Sequence, residues 1–380
     1  MFDAEKNSLM QKRTLTLIVP GLIDSVLALN ALQEIPIQEL PALTTFSLFL
    51  SRGQITIPQT NDLSDYNLYT CLLDALPLDL PLNDASILLP IANISMHYDS
   101  QQIETPKALN NKWIMRIDPC FMVADRDQLV LAKTGDMDLS LQEAKQLAEE
   151  IKQFYSQCNE EIFWTIKVLS AERWYLISDK PITIDSVPPE KVLGQSVKPY
   201  LFRAKNKEQR EWLNLFNEFQ MILHQSPINK IRQKNNKLPI NSLWFWGQSE
   251  YTSLESKQNK SLRLYSHSAV AKGLAFIHGG ESADLPEHYL ASPNDSHHCI
   301  YVIDDFSRAL QNKDIFQWVG LLEAFEQNYL VPILHDIKAG HISHLELISP
   351  TGRKLLITKK LLARWWKKKK IFINFFIKKI

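Results

Sequence analysis

Four cysteines in 380 residues, Cys71, Cys120, Cys158 and Cys299, stand far apart with no Cys-x-x-Cys pair. That scarcity excludes a small disulfide-stapled secreted frame and reads as the reduced thiols of a cytoplasmic protein. No apolar run approaches the ~18 to 20 residues that span a bilayer. The first thirteen residues also lack an apolar stretch ahead of a small-residue cleavage site, so nothing directs export. No internal repeat recurs. Acidic residues are missing from one whole segment: none follows Glu346.

What is present is ordinary for a globular chain, with 45% hydrophobic and 22% charged residues. A length of 380 residues favours two linked units with an extra segment over one core. The formal net charge of zero hides an asymmetry. Residues 347–380 carry eleven Lys and Arg, which leaves 31 basic against 42 acidic residues before them, a body of −11 and a tail of +11. The tail is a separate electrostatic object.

The pattern around residues 213–247 organises the rest. Leu213, Phe216, Phe219, Met221, Ile222 and Leu223 follow a helical period within a helix predicted over 206–224. A polar loop and the run from Ile240 to Trp246 follow, the latter reading as a strand of the main sheet covered on both faces and stopped by Gly247. Leu15 to Val19 reads as an opening strand before the Pro20-Gly21 turn, with a helix over 22–32. Further helices are expected over 43–50, 64–76, 84–94, 141–155, 269–277 and 315–337, the last kinked at Pro332. Ser140 and Glu143 form a capping box. Strands are expected over 113–117, 129–132, 163–169, 173–177, 262–265 and 299–303, with a hairpin of 345–348 and 354–357 across Pro350-Thr351-Gly352. The order strand, strand, helix, strand, strand over 113–177 reads as a small α+β unit set into an α/β fold.

One set of segments stands out: Leu17 to Gly21, Arg116-Ile117-Asp118-Pro119 through Asp127, Glu143-Ala144-Lys145 and Glu172 to Leu176. Asn217 to Gln220, Pro227-Ile228-Asn229, Asn241 to Gly247 and Ala271 to Ala275 complete it. In order and wording these segments resemble the archaeal-type, cofactor-independent phosphoglycerate mutases of the alkaline-phosphatase superfamily. From residue 14 to 366 the chain resembles more closely the bacterial RpfE-type regulatory proteins, which often bear the mutase label. The resemblance implies an alkaline-phosphatase-like, mostly parallel sheet in two parts, 1–110 and 201–352, an inserted α+β lid at 111–200, and the basic aromatic tail 353–380. It also implies paired divalent metals that position a phosphoryl group. Where those mutases carry Asp-Gly after the first strand, this chain has Pro20-Gly21. Where they carry an Arg-Ala-Gly-Arg clamp it has Asp127-Gln128-Leu129. Where they carry Leu-Arg-Gly it has Phe245-Trp246-Gly247, and Ile303 to Phe306 replaces an expected metal-binding His pattern. These departures point to a degenerate, regulatory or ligand-binding member. The alternative is a metal-dependent phosphatase or phosphomutase acting on a small phosphorylated metabolite.

Candidate residues follow. His297, His298 and Asp304, with Asp305 beside them, offer nitrogen and oxygen donors for a divalent metal, or are a solvent-facing loop. Arg116, Asp118 and Asp125 bind a phosphorylated ligand, or form a structural ion pair with turn-forming carboxylates. Glu218, Asn229 and Asn241, near Gln220, line a pocket or are polar helix and loop positions. No other cofactor is implied. In the tail, Leu361, Leu362, Trp365 and Trp366 fall on one predicted helical face beside Arg364, Lys367, Lys368, Lys369 and Lys370. This set suits an anionic membrane surface at the inner face, nucleic-acid phosphates, or the acidic body of the same chain.

Overall fold

The segment Arg13–Ile18 (β1) is buried from Leu15 onward and lies at the centre of a seven-stranded sheet. The computed structural model describes residues 13–22, 40–56, 68–77, 90–100, 109, 111–126, 128–157, 162–252, 261–291, 297–312, 314–350 and 352–368. The helix expected over 22–32 lies outside these residues but for Leu22, as do the first residues of those expected from 64 and 84. The chain divides into two compact units, residues 1–79 with 255–380, and residues 80–254.

The first unit is mixed α/β with a mostly parallel sheet. β1 pairs in parallel with His298–Val302 (β10) and Ile342–Ile348 (β11), and β10 pairs in parallel with Leu262–Tyr265 (β8). The short strand Glu281–Ala283 (β9) extends the sheet beyond β8, in a stretch whose polar sequence predicts no strand. On the other side Lys354–Thr358 (β12) forms the expected hairpin with β11, and Gln54–Thr56 (β2) adds to its edge. Parallel strands covered on both faces carry near-continuous apolar sequence, as β1 and β10 do. Thr44–Arg52 (α1) packs Phe46 and Phe49 into this core, where Phe325 meets Phe46 and Phe306 edge to face at 6.4 and 5.7 Å.

The long helix expected over 315–337 is three pieces: Ile315–Phe325, a π-helical turn Glu326–Leu330, and Val331–Ala339. Pro332 sits in the first turn of the last piece, where a missing N–H costs nothing, so the interruption precedes it. The π turn aims the buried Glu326 carboxylate at the start of α1. There it accepts from the backbone N–H groups of Thr45 at 2.5 Å and Phe46 at 3.0 Å, satisfying donors that no turn of the helix can reach.

The second unit is organised by Trp113–Asp125 (β3). Its sheet runs Gln128–Thr134 (β4), β3, Trp174–Ser178 (β6), Trp164–Val168 (β5), all antiparallel, and Ser242–Glu250 (β7) also pairs with β3. The expectation that residues 240–247 belong to the main sheet is therefore corrected, since residues Trp113–Cys120 form the partner. Burial of five successive side chains, Ser242 to Trp246, does follow from coverage on both faces. Gly247 does not stop the strand. It takes φ +66° where the pairing register slips opposite Ile114 to Arg116, a glycine bulge, and an added Cβ would press on Ile91 at 3.0 Å. With Ile91–Asp99 and the helices of 207–234 included, this unit is wider than the expected 111–200 segment.

Leu141–Gln157 carries the capping box as expected: Glu143 N–H donates to Ser140 Oγ at 3.1 Å, and Ser140 N–H to Glu143 Oε2 at 2.9 Å. Its Tyr155 packs edge to face on Trp164 at 5.0 Å and on Phe219 at 6.2 Å, and Phe219 meets Phe245 at 5.9 Å. Phe219 lies on Lys207–Gln225. The expected polar loop after this helix is instead a second helix, Pro227–Lys234. Ser226 caps it, its Oγ accepting from Ile228 N–H, with Pro227 at the first position.

Candidate functional site

Open α/β sheets place ligands outside the carboxyl ends of their parallel strands. In the first unit that edge gathers charge. β8 ends at Tyr265 and passes through Ser266 and His267 into the helix Ala269–Ile277, capped by Ser268. Ser266 is buried, and its Oγ accepts from Ser268 N–H at 2.9 Å. The helix is apolar but for Lys272, only 8% exposed, whose ammonium donates to Asp284 Oδ1 at 2.5 Å just after β9. That cation holds the Asp284 carboxyl below its ordinary pKa. His267 Nδ1 lies 3.9 Å from the same oxygen.

β10 delivers Asp304 and Asp305 to the same edge. Asp305 accepts from the Arg308 guanidinium one turn along the helix Asp305–Gln311. Asp304 Oδ1 is buried with no hydrogen-bond partner, and the nearest guanidinium nitrogen of Arg308 stands 3.7 Å away. Burial raises the Asp304 carboxyl pKa against the pull of Arg308, and Asp305 adds to the rise. Where β1 ends, Pro20 and Gly21 make a turn rather than offering a carboxylate. Gly21 has φ +83°, a Cβ there would fall 2.7 Å from the Ser307 backbone nitrogen, and its carbonyl accepts from Trp318 Nε1 at 3.0 Å.

Of the sequence-predicted residues, Asp304 and Asp305 reach this edge. His297 and His298 stand at the opposite, entering end of β10, about 20 Å from Asp304 at the rise of a strand. A His297, His298, Asp304 metal set is therefore corrected. His298 Nε2 instead meets Thr16 Oγ1 of β1 at 3.0 Å, and burial depresses its pKa, with His344 nearby.

The remaining candidates lie in the second unit and do different work. Arg116 and Asp118, two residues apart on one face of β3, form a buried two-pronged pair at 3.0 and 2.7 Å. Trp246 donates its indole N–H to Asp118 Oδ2 at 2.6 Å, and the Arg116 guanidinium lies 4.7 Å over the Trp246 ring. Burial raises the Asp118 pKa, with Arg116 and Trp246 opposing. Asp125 is exposed at the end of β3, away from this pair's buried face. Glu218 accepts from the Tyr155 hydroxyl. Asn229 is saturated: it donates to the carbonyls of Leu223 and Ile240, both at 2.7 Å, and accepts Ile240 N–H at 2.8 Å. Asn241 likewise spends both polar groups on Met122. Structural hydrogen bonds account for the polar groups of Asn229 and Asn241, and Asn241 also lines a surface cavity with Gln220 and His224.

Of His267, Lys272 and Asp284, only Lys272 has a local signal in the sequence. A lone lysine inside Ala-Val-Ala-Lys-Gly-Leu-Ala must be paired if the helix is buried. Among the described residues no group of three His, Cys, Asp or Glu side chains converges as a metal would require. Asp284 and Asp305 are already engaged by Lys272 and Arg308. The described donors at this edge do not fit a two-metal centre.

No protein-family model matches the chain. A stretch of 74 residues, 20% of this chain and 18% of the relative, is 31% identical to a probable 2,3-bisphosphoglycerate-independent phosphoglycerate mutase of Geobacter sulfurreducens. Another of 105 residues is 27% identical to the enzyme of that name from Methanosarcina acetivorans, covering 27% of this chain and 26% of that protein. The chain shares weak homology with cofactor-independent phosphoglycerate mutases. The matched stretches span roughly a quarter or less of those relatives' length. Among solved structures, the PH0037 protein from Pyrococcus horikoshii aligns over 92% of this chain and 88% of its own at 13% identity and TM-score 0.49. A cofactor-independent phosphoglycerate mutase from Thermoplasma acidophilum aligns over 96% and 94% at 15% identity and TM-score 0.37.

Proposed function

We propose that this protein is a catalytically degenerate, phosphoglycerate-mutase-like protein. In this reading it binds a small phosphorylated metabolite at the carboxyl edge of its parallel sheet in a regulatory role. The observation that carries the reading is the Pro20-Gly21 turn. The position that the family resemblance gives to a metal-binding carboxylate is filled by a ring, and the turn is pinned by close packing on Ser307 and by Trp318. Along the same sheet edge Lys272 and Arg308 supply cations suited to a phosphate, and Asp284, Asp304 and Asp305 set the charge that a ligand must displace or complement. The resemblance to RpfE-type regulatory proteins supports the same role. The lid that the resemblance implies, residues 111–200, falls within the unit of residues 80–254, and a cytoplasmic location accords with the buried, reduced thiols of Cys71, Cys120 and Cys299.

One observation favours the enzymatic alternative. The orphaned Asp304 oxygen is a group that a cation would satisfy. Two measurements separate the readings. A coupled mutase assay with Mn²⁺ or Co²⁺ is expected to give no turnover, and 3-phosphoglycerate is expected to raise the melting temperature of the wild type but not of Lys272→Met. Turnover of order 1 per second or faster, together with two tightly held divalent ions per chain, would establish the enzyme instead.

A further inference from the structure

The tail leaves the first unit in a way that its sequence alone does not disclose. After β12, Thr358 Oγ1 accepts from Leu361 N–H at 3.1 Å and starts the single helical turn Lys359–Leu362. Leu361 and Leu362 are buried, and the Leu362 carbonyl accepts from the Arg52 guanidinium. The two leucines belong to the core, so the expected helical face shared with the tryptophans does not form. The turn ends at Leu362 and the next residues turn outward.

Trp365 is 79% and Trp366 63% exposed, their rings edge to face at 6.1 Å. Two adjacent indoles in water are the opposite of what a self-contained fold does with its largest apolar side chains. Around them stand Arg364, Lys367 and Lys368, for which no carboxylate of the described residues forms an ion pair. The exposure of Lys367 and Lys368 argues against the acidic body as the partner of this segment.

We propose that Trp365 and Trp366, with Arg364, Lys367 and Lys368, form a docking point for an anionic lipid bilayer. Indole rings settle at the headgroup boundary, where the N–H stays wet and the ring leaves water, while lysine and arginine meet lipid phosphate. The sequence beyond continues the same chemistry: Lys369 and Lys370 are followed by Ile371, Phe372, Phe375 and Phe376. A surface for nucleic-acid phosphate has no use for that apolar block, whereas a membrane interface takes both kinds of residue. The bolt at Leu362 then holds the first unit at the bilayer surface.

The test uses the full chain with vesicles of phosphatidylcholine alone or with a third phosphatidylserine. Co-sedimentation is expected only with the anionic vesicles, and part of it persists in high salt. Trp365→Ala/Trp366→Ala should abolish the salt-resistant part. Lys367→Glu/Lys368→Glu should weaken low-salt binding by at least about twentyfold, since each basic residue at such a surface strengthens binding about fivefold. Melting temperatures should stay at the wild-type value, because none of these side chains is buried. Equal binding of the double-Trp variant, equal binding to neutral vesicles, or displacement of all bound protein from vesicles by duplex DNA at modest salt would overturn the proposal.

Discussion

Asn241 holds Met122 by both of its backbone groups: its Oδ1 accepts the Met122 N–H and its Nδ2 donates to the Met122 carbonyl, each at 2.8 Å. The side chain thereby adds one rung to the ladder between β3 and β7, just beyond the last backbone pair, Cys120 with Ser242. Asn241→Ala strands two partly buried backbone groups. At about 1 to 3 kcal/mol for each unsatisfied group, a loss of about 2 to 6 kcal/mol is expected in urea unfolding. A wild-type midpoint would show that these bonds are idle.

The Arg116 and Asp118 pair invites a double-mutant cycle. Asp118 is 3% exposed and its partners are all protein groups. Arg116→Met or Asp118→Leu alone should cost about 3 to 5 kcal/mol, because each leaves an uncompensated buried charge. The combined variant should recover most of that loss. Single variants as stable as the wild type would mean that the pair is solvated.

Trp244 is buried on β7 and donates its indole N–H to the Val187 carbonyl at 2.9 Å. Trp244→Ala should cost about 3 to 5 kcal/mol and should act on folding rather than on one function. A soluble variant with the wild-type melting temperature would contradict the buried position of the strand.

Acid should weaken the first unit through His298. Burial lowers its folded pKa below the ordinary imidazole value of 6.5. Below pH 6.5 the unfolded chain therefore binds a proton that the folded chain refuses, and stability falls as pH drops toward the folded pKa. His97 of the second unit is depressed for the same reason and adds to the trend. Thermal midpoints should be flat above pH 7 and decline from pH 6.5 to 5, with a shallower decline in His298→Gln. An unchanged slope in that variant would remove His298 from this account.

Local pattern carried much of the secondary structure. Leu262–Tyr265 and Ala269–Ile277 form where the periodicity places them, and Ser140 with Glu143 caps as its spacing dictates. Partnership between strands was not legible, because the Ser242–Trp246 sequence says that both faces are covered but not by which sheet. The helix Pro227–Lys234 is hidden by its polar composition, although Ser226-Pro227 carries its start signal. At the candidate site, Asp304 and Asp305 could be placed by the strand that precedes them. His267, Lys272 and Asp284 meet only because β8 and β9 are neighbours, a relation with no local trace in the sequence.

The central place of β1 has a consequence for how the chain is made. Its partner β10 lies 282 residues away at the Thr16 to His298 contact, and β11 is farther still. Residues 80–254, by contrast, draw all of their strands from one continuous stretch. During synthesis that stretch can collapse as soon as it emerges, while the first strand waits, apolar and unpaired, for edges not yet translated. The early strand is thus the segment most exposed to mispairing on the ribosome. Slowing elongation after residue 254 should lengthen that exposure and lower soluble yield, without changing the stability of the finished protein.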